Sequence, residues 1–322
     1  MKTALVILAA GMGTRMNSDL PKVLHKVAGA PLLVHAMQSG ATLSPAHTVV
    51  VAGHGAEQVT NAVADHDEGA SVVVQTEQLG TAHAVTQART ALDGFEGTVF
   101  VLYGDTPFVR PETLEAMHKA GADHDIVVLG FEAVDPGRYG RLVMSGTSLD
   151  RIVEFKDATD AERAITLCNS GVIACNAPLL FDLIDAVGND NASGEYYLTD
   201  VIGLARDRGL TATAVTCDEA ETFGINARPE LAAAEAAFQA RARADLSESG
   251  VTMVAPDTVF LAFDTVIGRD TVLEPNVVFG PGVTIESGAT IRAFSHLEGC
   301  HVARGSIVGP YARLRPGTEL SE

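Results

Sequence analysis

The chain has 322 residues, 47% hydrophobic and 20% charged, an ordinary globular balance with material for about two domains. Its 22 Lys+Arg against 41 Asp+Glu leave a net charge of −19; a surface that acidic repels phosphate backbones and anionic lipid, so neither nucleic acid nor membrane is an expected partner. No apolar run reaches the ~20 residues of a membrane span, no secretory signal is visible, and Cys168, Cys175, Cys217 and Cys300 lack C-x-x-C spacing, so a cytoplasmic chain with free thiols is expected.

In chain order, apolar runs at residues 4–8, 48–52, 71–74, 98–103 and 126–131 alternate with helical patterns at 31–38, 56–64, 81–92 and 111–120. Strands apolar on both faces and separated by helices predict a doubly wound, mostly parallel sheet of the Rossmann-like kind. The alternation breaks over 130–174, where shorter strands near 141–144 and 152–155 read as an antiparallel addition to the sheet edge. After Asn226, Pro229 and an alanine-rich stretch predict one long linker helix. From Leu261 an aliphatic or aromatic residue recurs every six positions (Ile267, Leu273, Phe279, Ile285, Ile291, Leu297), then after one five-residue step at Val302, Val308 and Leu314. Neither a helix nor a lone strand has that period; hexapeptide repeats stacked as a parallel β-helix do. The expected division is therefore 1–227, 228–250 and 251–322.

Three pieces carry chemistry. Leu8-Ala9-Ala10-Gly11-Met12-Gly13-Thr14-Arg15 ends a strand and is followed by Pro21-Lys22. Glycines and small residues let backbone N–H groups approach an anion, and Arg15 and Lys22 add charge. Met16 stands where a dinucleotide fingerprint needs its third glycine, and a Walker G-K-[ST] is missing. That disfavours a Rossmann oxidoreductase; Gly11 and Gly13 alone favour an ordinary strand-to-helix turn. Tyr103-Gly104-Asp105 closes a buried strand, where open α/β sheets bind ligands, and Asp105 suits Mg²⁺, although position alone favours a turn or cap aspartate before Thr106-Pro107. Gln75, with Gly80-Thr81 opening a helix, offers a carboxamide that matches a pyrimidine edge, or a routine cap.

In this order, L-A-A-G-x-G-T-R-M, S-D-L-P-K-V-L-H, Q-L-G-T-A-H-A, Y-G-D, Y-G-R, N-S-G, G-E-Y-Y-L-T-D and the hexapeptide repeats resemble the bacterial bifunctional N-acetylglucosamine-1-phosphate uridyltransferase/glucosamine-1-phosphate acetyltransferase family along essentially the whole chain. The resemblance implies a nucleotide-diphospho-sugar transferase domain followed by a left-handed β-helix. It implies that Leu8, Ala9, Ala10, Gly11 and Gly13 hold the nucleotide, that Arg15 and Lys22 neutralise its phosphates, and that Gln75, Gly80 and Thr81 recognise uracil. Tyr103 and Gly104 would line the nucleotide and sugar sites, and Gly140, Glu154, Asn169, Tyr197 and Thr199 would bind the N-acetylglucosamine. Asp105 and Asn226 would be the protein ligands of Mg²⁺. Met12 is a departure: many relatives carry lysine there, so more of the charge work falls to Arg15 and Lys22.

The implied reaction joins UTP and N-acetylglucosamine 1-phosphate into UDP-N-acetylglucosamine, a peptidoglycan and lipopolysaccharide precursor, with release of pyrophosphate. The attacking phosphate is already ionised near neutral pH, its second pKa being about 6, so no general base is required. Ten histidines without a triad or metal pattern agree. The family's β-helix continues into coils that carry acetyl-CoA; here the sequence stops at Glu322, about three coils in, so acetyl transfer is not expected and Arg315 is an acetyl-acceptor half-site only. Homotrimerisation through the β-helix is the implied assembly. The competing readings are another sugar-1-phosphate nucleotidyltransferase and a non-catalytic nucleotidyltransferase-like scaffold.

Overall fold

The computed structural model describes residues 2–321, which form two compact units. The first comprises the segment up to Leu24 together with Leu32–Asn226; the second comprises His25–Pro31 together with the segment from Ala227 onward. The division differs from the expected 1–227 because residues 25–31 leave the first unit. They form a ribbon in which Lys26 pairs with Pro31, and the Ala28 N–H donates to Glu235 at 2.6 Å.

The first unit is built on β1 (Thr3–Ala9), all of whose residues are buried. Its side chains alternate between two cores: Ala4, Val6 and Leu8 pack on one face of the sheet, Leu5, Ile7 and Ala9 on the other. Continuous apolar sequence is what a strand covered on both faces requires. It is followed by α1 (Leu32–Ala41), β2 (His47–Ala52), α2 (Ala56–His66), β3 (Ser71–Val74), α3 (Thr81–Thr86), β4 (Thr98–Tyr103), α4 (Pro111–Ala120) and β5 (Ile126–Glu132). Next come β6 (Arg141–Ser145), β7 (Ser148–Val153), β8 (Leu167–Asn176), α5 (Ala177–Ile184), α6 (Asp200–Asp207) and β9 (Ala212–Cys217).

The strand order is β9-β5-β8-β4-β1-β2-β3. Strands β4, β1, β2 and β3 run parallel, as do β5 and β9, and β8 lies antiparallel between the two blocks. The chain steps outward from β1 to β2 and β3 and returns to β4 on the other side. This reversal makes the C-terminal ends of β1 and β4 the switch point where such sheets bind ligands.

Two expectations for residues 130–174 are corrected. The second short strand is Ser148–Val153 rather than 152–155, because the turn sits at Gly146-Thr147 and pairs Ser145 with Ser148. Nor is the segment only an edge addition: the hairpin β6–β7 extends from β8 through Arg141 and Cys168, but β8 itself enters the middle of the sheet. Its register on β5 shifts between Asn169 and Ile173, and Gly171 there has φ +93°. That bulge matters for the site.

In the second unit, α7 (Arg228–Glu248) starts with Pro229 in its first turn and the Glu230 carboxylate on the Ala227 N–H. Buried Gln239 donates to the Leu261 carbonyl at 2.7 Å and accepts from its N–H at 2.9 Å, tying the helix to the first coil. The coils follow the hexad pattern. Ile267 pairs with Ile285, Leu273 with Ile291 and Phe279 with Leu297, each eighteen residues on. Across the five-residue step the interval drops to seventeen, as Ile285 pairs with Val302, Ile291 with Val308 and Leu297 with Leu314. Three flat parallel sheets result, their inward residues forming one apolar column.

Candidate functional site

The loop after β1 is shaped by close backbone approach. The Gly104 N–H donates to the Leu8 carbonyl at 2.9 Å, extending the β1–β4 contact past the strand ends. Gly13, at φ +62°, opens a single 3₁₀ turn over Thr14–Met16, and a Cβ there would lie 2.6 Å from Cβ of Lys22. Pro21 starts a second 3₁₀ turn over Lys22–Leu24, which aims Lys22 inward.

Lys22 Nζ donates to the Asp105 carboxylate and, at 2.9 Å, to Oδ1 of Asn226. Its side chain is 10% exposed and that of Asp105 19%, so water screens the pair little. Asn226 reaches this point because the Ile225 N–H donates to the Asp105 carbonyl at 2.9 Å. Two residues separated by most of the first unit thus present oxygens to one cationic group.

Lys22 and Asp105 of this cluster line a cavity of about 320 Å³. Of the residues expected at the nucleotide, Leu8, Ala9, Ala10, Gly11, Lys22, Gln75, Gly80, Thr81, Tyr103 and Asp105 line it. Gly13 and Gly104 do not line it; a Cβ at Gly13 would meet Lys22, and one at Gly104 would meet Val23, Leu33 and the Leu8 carbonyl. Arg15 is not brought to the wall: left-handed backbone at Gly13 and Asn17 turns the segment outward on a buried Met16 anchor, and Arg15 is exposed. Gln78, Val23, Ala84 and Glu195 also line the cavity and were not anticipated. The first and last could have been read from Q-L-G-T and G-E-Y-Y-L-T-D, the motifs that contain them.

Gln75 is buried, and its amide nitrogen donates to the Gly80 carbonyl at 3.2 Å and faces His83 Nδ1 at 3.0 Å. The amide oxygen is left to accept. Gly80 has φ +120° and lies under Tyr196, where a Cβ would meet the Tyr196 carbonyl oxygen at 2.5 Å. The Ala82 N–H donates to that carbonyl and the Leu198 N–H donates to Thr81 Oγ1, so the 79–82 loop is stitched to 196–198.

Beyond Tyr103 a smaller hollow is lined by Asn169, Gly171, Ile152 and Thr199 among others. Thr199 Oγ1 donates to the Glu154 carboxylate at 3.1 Å, and Gly140 lies close enough that a Cβ would stand 3.5 Å from both its oxygens. Asn169 is held twice, its N–H on the Gly140 carbonyl and its Oδ1 on the Gly171 N–H, each at 2.9 Å. The Arg141 guanidinium, buried, donates to the carbonyls of Gly137, Tyr139 and Arg163 and so fixes the approach to Gly140.

Burial pushes the Tyr103 phenol far up, with Glu154 and Asp105 adding to the shift and the Thr81 hydrogen bond opposing it, so Tyr103 remains a donor. Burial also raises the Glu154 carboxyl against its Thr199 hydrogen bond, with Asp200 and Asp157 adding to the rise. Burial raises Tyr197 too, where Ser193 opposes the shift. Arg315 lies in the second unit, exposed on a late coil, with its backbone N–H on Thr318 Oγ1 at 3.3 Å.

Among the described residues no group of three or more His, Cys, Asp or Glu could hold a metal ion, and no helix is long and apolar enough to cross a membrane. The Asp105–Asn226 pair nevertheless suits Mg²⁺. Both are hard oxygen donors that already converge on a cation, and Mg²⁺ is usually held by one or two protein groups together with substrate phosphates and water.

Residues 5–171 match the MobA-like NTP transferase domain, and residues 264–299 match the six-repeat bacterial transferase hexapeptide family. Two solved structures share the fold at low identity. An apo UDP-glucose pyrophosphorylase aligns with TM-score 0.61 at 16% identity, over 75% of this chain and all of that one. The inositol-1-phosphate CTP transferase from T. maritima aligns with TM-score 0.57 at 18%, over 70% and 90%. The whole chain is 74% identical to the bifunctional protein GlmU of Roseobacter denitrificans and 73% identical to that of Ruegeria pomeroyi, covering 72% of each. Paracoccus denitrificans GlmU is 62% identical over 98% of this chain and 71% of its own length. With a nucleotidyltransferase domain, hexapeptide coils and this identity along its full length, the chain belongs to the GlmU family and is a nucleotidyltransferase.

Proposed function

We propose that the chain transfers uridylyl from UTP to N-acetylglucosamine 1-phosphate with Mg²⁺, releasing pyrophosphate. The observation that carries this reading is the convergence of Asp105 and Asn226 on the Lys22 ammonium, with Lys22 and Asp105 lining the cavity. A scaffold has no use for a lysine and two oxygen donors held under a glycine loop.

The reaction needs two anions aligned and the growing charge stabilised. An oxygen of the sugar phosphate attacks the α-phosphorus, and the bond to the β-phosphate oxygen breaks. The attacking oxygen is ionised near neutral pH, so the protein supplies position and field rather than a base. Backbone N–H groups of the Ala9–Gly11 loop and the Lys22 ammonium face the phosphates. Asp105 and Asn226 would hold Mg²⁺, which supplies charge neutralisation on the triphosphate. Tyr103, kept protonated, donates at the junction of the two hollows. Gln75, whose amide nitrogen is occupied by Gly80, accepts from the N3–H of uracil; cytosine carries an acceptor there. Glu154, Asn169, Tyr197, Thr199 and the Gly140 backbone surround the N-acetylglucosamine.

Losing one contact made to the developing charge costs ~3–4 kcal/mol, roughly 10²–10³ in rate. The test is a pyrophosphate-release assay with UTP and N-acetylglucosamine 1-phosphate, with and without Mg²⁺, repeated with CTP and with glucose 1-phosphate. Release that is Mg²⁺-dependent and fastest with the first pair is expected, and Asp105→Ala abolishes it. A preference for a different base or sugar selects another sugar-1-phosphate nucleotidyltransferase. The same reading takes the protein as cytoplasmic and homotrimeric through the β-helix, and Arg315 as an acetyl-acceptor contact. Family membership supports these points, and light scattering tests the trimer.

A further inference from the structure

We propose that Lys22 is a resident stand-in for the divalent cation. Before nucleotide arrives its ammonium holds the Asp105–Asn226 oxygens, and it leaves them when the triphosphate draws it toward the cavity. Nucleotide and metal then bind with positive coupling. The inference rests on the metal assignment above and deepens it.

The oxygens that would ligate a divalent ion are the ones Lys22 now engages, the Asp105 carboxylate and Oδ1 of Asn226. A magnesium ion binds oxygen at about 2.0–2.1 Å, whereas the ammonium donates from 2.9 Å to Asn226. Both cations on one oxygen pair would stand only a few ångström apart. With both side chains largely buried, little water is present to screen that repulsion. Occupancy by one therefore excludes the other.

The arrangement also lets the lysine depart without dismantling the pair. Asp105 and Asn226 are brought together by the backbone hydrogen bond from Ile225 to the Asp105 carbonyl, which does not involve Lys22. The lysine's own stem is pinned at its base, where Gly13 packs on Cβ, while the residue lines the cavity and its ammonium reaches Asp105 and Asn226. The head can swing on a flexible stem from carboxylate to phosphate. Without it, and without a metal, Asp105 would be a largely buried carboxylate lacking a counter-charge, an arrangement proteins avoid.

The experiment is Mn²⁺ titration of the full chain without nucleotide, read by loss of the free-ion electron paramagnetic resonance signal. Lys22→Met keeps the length and adds no oxygen ligand; it is expected to bind Mn²⁺ at least about tenfold more tightly than the native chain. Arg15→Gln, which removes a charge from the neighbouring exposed turn, is expected to stay within about twofold. Thermal unfolding gives a second readout: Lys22→Met melts below the native chain without divalent ion, and added Mn²⁺ raises its midpoint more than it raises the native one. Lys22→Ala repeats both measurements should the methionine variant not fold. If the lysine variants bind Mn²⁺ no more tightly than the native chain while Asp105→Asn abolishes binding, the stand-in role is overturned and the metal assignment stands. If binding ignores both Asp105→Asn and Asn226→Ala, the metal assignment itself falls and the stand-in role falls with it.

Discussion

Gly171 lies directly beneath Tyr103: a Cβ at this glycine would stand 2.6 Å from Cε2 of the ring and 3.0 Å from Cζ. The glycine also has φ +93°, at the bulge where β8 changes register. One residue therefore sets both the path of the central antiparallel strand and the height of the ring shared by the two hollows. Gly171→Ala must push Tyr103 toward the nucleotide side, and it strains the backbone by ~1–3 kcal/mol. The expected result is a folded protein with kcat/KM down about 10–100-fold, because small misplacements of positioning groups are costly. Steady-state kinetics alongside a thermal melt check it.

How far the sequence revealed this arrangement depends on what each signal required. Strands at residues 71–74 and 98–103 coincide with the observed β3 and β4, since continuous apolar runs bounded by turns leave little choice. The hexads were legible because their six-residue period fits neither a helix nor a lone strand, and even the five-residue step appears as the drop in pairing interval. The helix expected over 81–92 is instead α3 ending at Thr86, with a separate 3₁₀ turn at Thr90–Leu92. The central place of β8 was hidden by Asn169-Ser170-Gly171, a polar interruption that reads as a loop and is a bulge. The ribbon at residues 25–31 has two-residue strands, too short for any periodicity. In the site, Asp105 and Asn226 lie far apart in sequence, and only the family pattern joined them. No local signal announces that Gly13 is needed for the stem of Lys22.

That last contact makes its own prediction. Gly13→Ala places a methyl on Lys22 at left-handed backbone, so it costs about 1 kcal/mol of stability and displaces the lysine. Turnover is expected to fall ~10²–10³-fold, close to the effect of removing the ammonium itself. Gly11, which has nothing within 4 Å of a built Cβ, is the contrast: Gly11→Ala should leave the melting midpoint nearly unchanged. Parallel melts and initial rates separate the two.

Base selectivity should sit in a single atom. With the amide nitrogen of Gln75 donating to Gly80, only its oxygen is available to a base edge. Gln75→Ala removes the acceptor that a uracil N3–H requires. Rates with UTP are expected to fall, and the ratio of kcat/KM for UTP over CTP to drop at least about tenfold, because CTP loses nothing it had. Competition assays with the two nucleotides measure the ratio directly.

Glu154 should show a trade between stability and function. Burial raises its carboxyl above the ordinary 4.5, with Asp200 and Asp157 adding to the rise and the Thr199 hydrogen bond opposing it. For an acid whose folded pKa is raised, the native state holds its proton more tightly than the unfolded chain. Ionisation therefore takes stability away as pH rises from the unfolded value through the folded one, and below both values the penalty is gone. Glu154→Gln keeps an oxygen for the Thr199 hydroxyl and carries no charge, so it is expected to melt above the native protein at pH 7. The gap should close as pH falls below about 4.5, where the native carboxyl is protonated in both states. Function runs the other way. The ionised carboxylate is the stronger acceptor for sugar hydroxyls, so KM for the sugar phosphate should rise in the native enzyme as pH drops through the raised pKa. In Glu154→Gln, KM should be high and keep only the change that the sugar phosphate's own ionisation, with a pKa of about 6, imposes. Melting curves and sugar-phosphate KM values from pH 4 to 8 test both halves; a variant that is less stable at pH 7, or whose KM keeps the native pH dependence, would show that this carboxylate carries neither the strain nor the recognition.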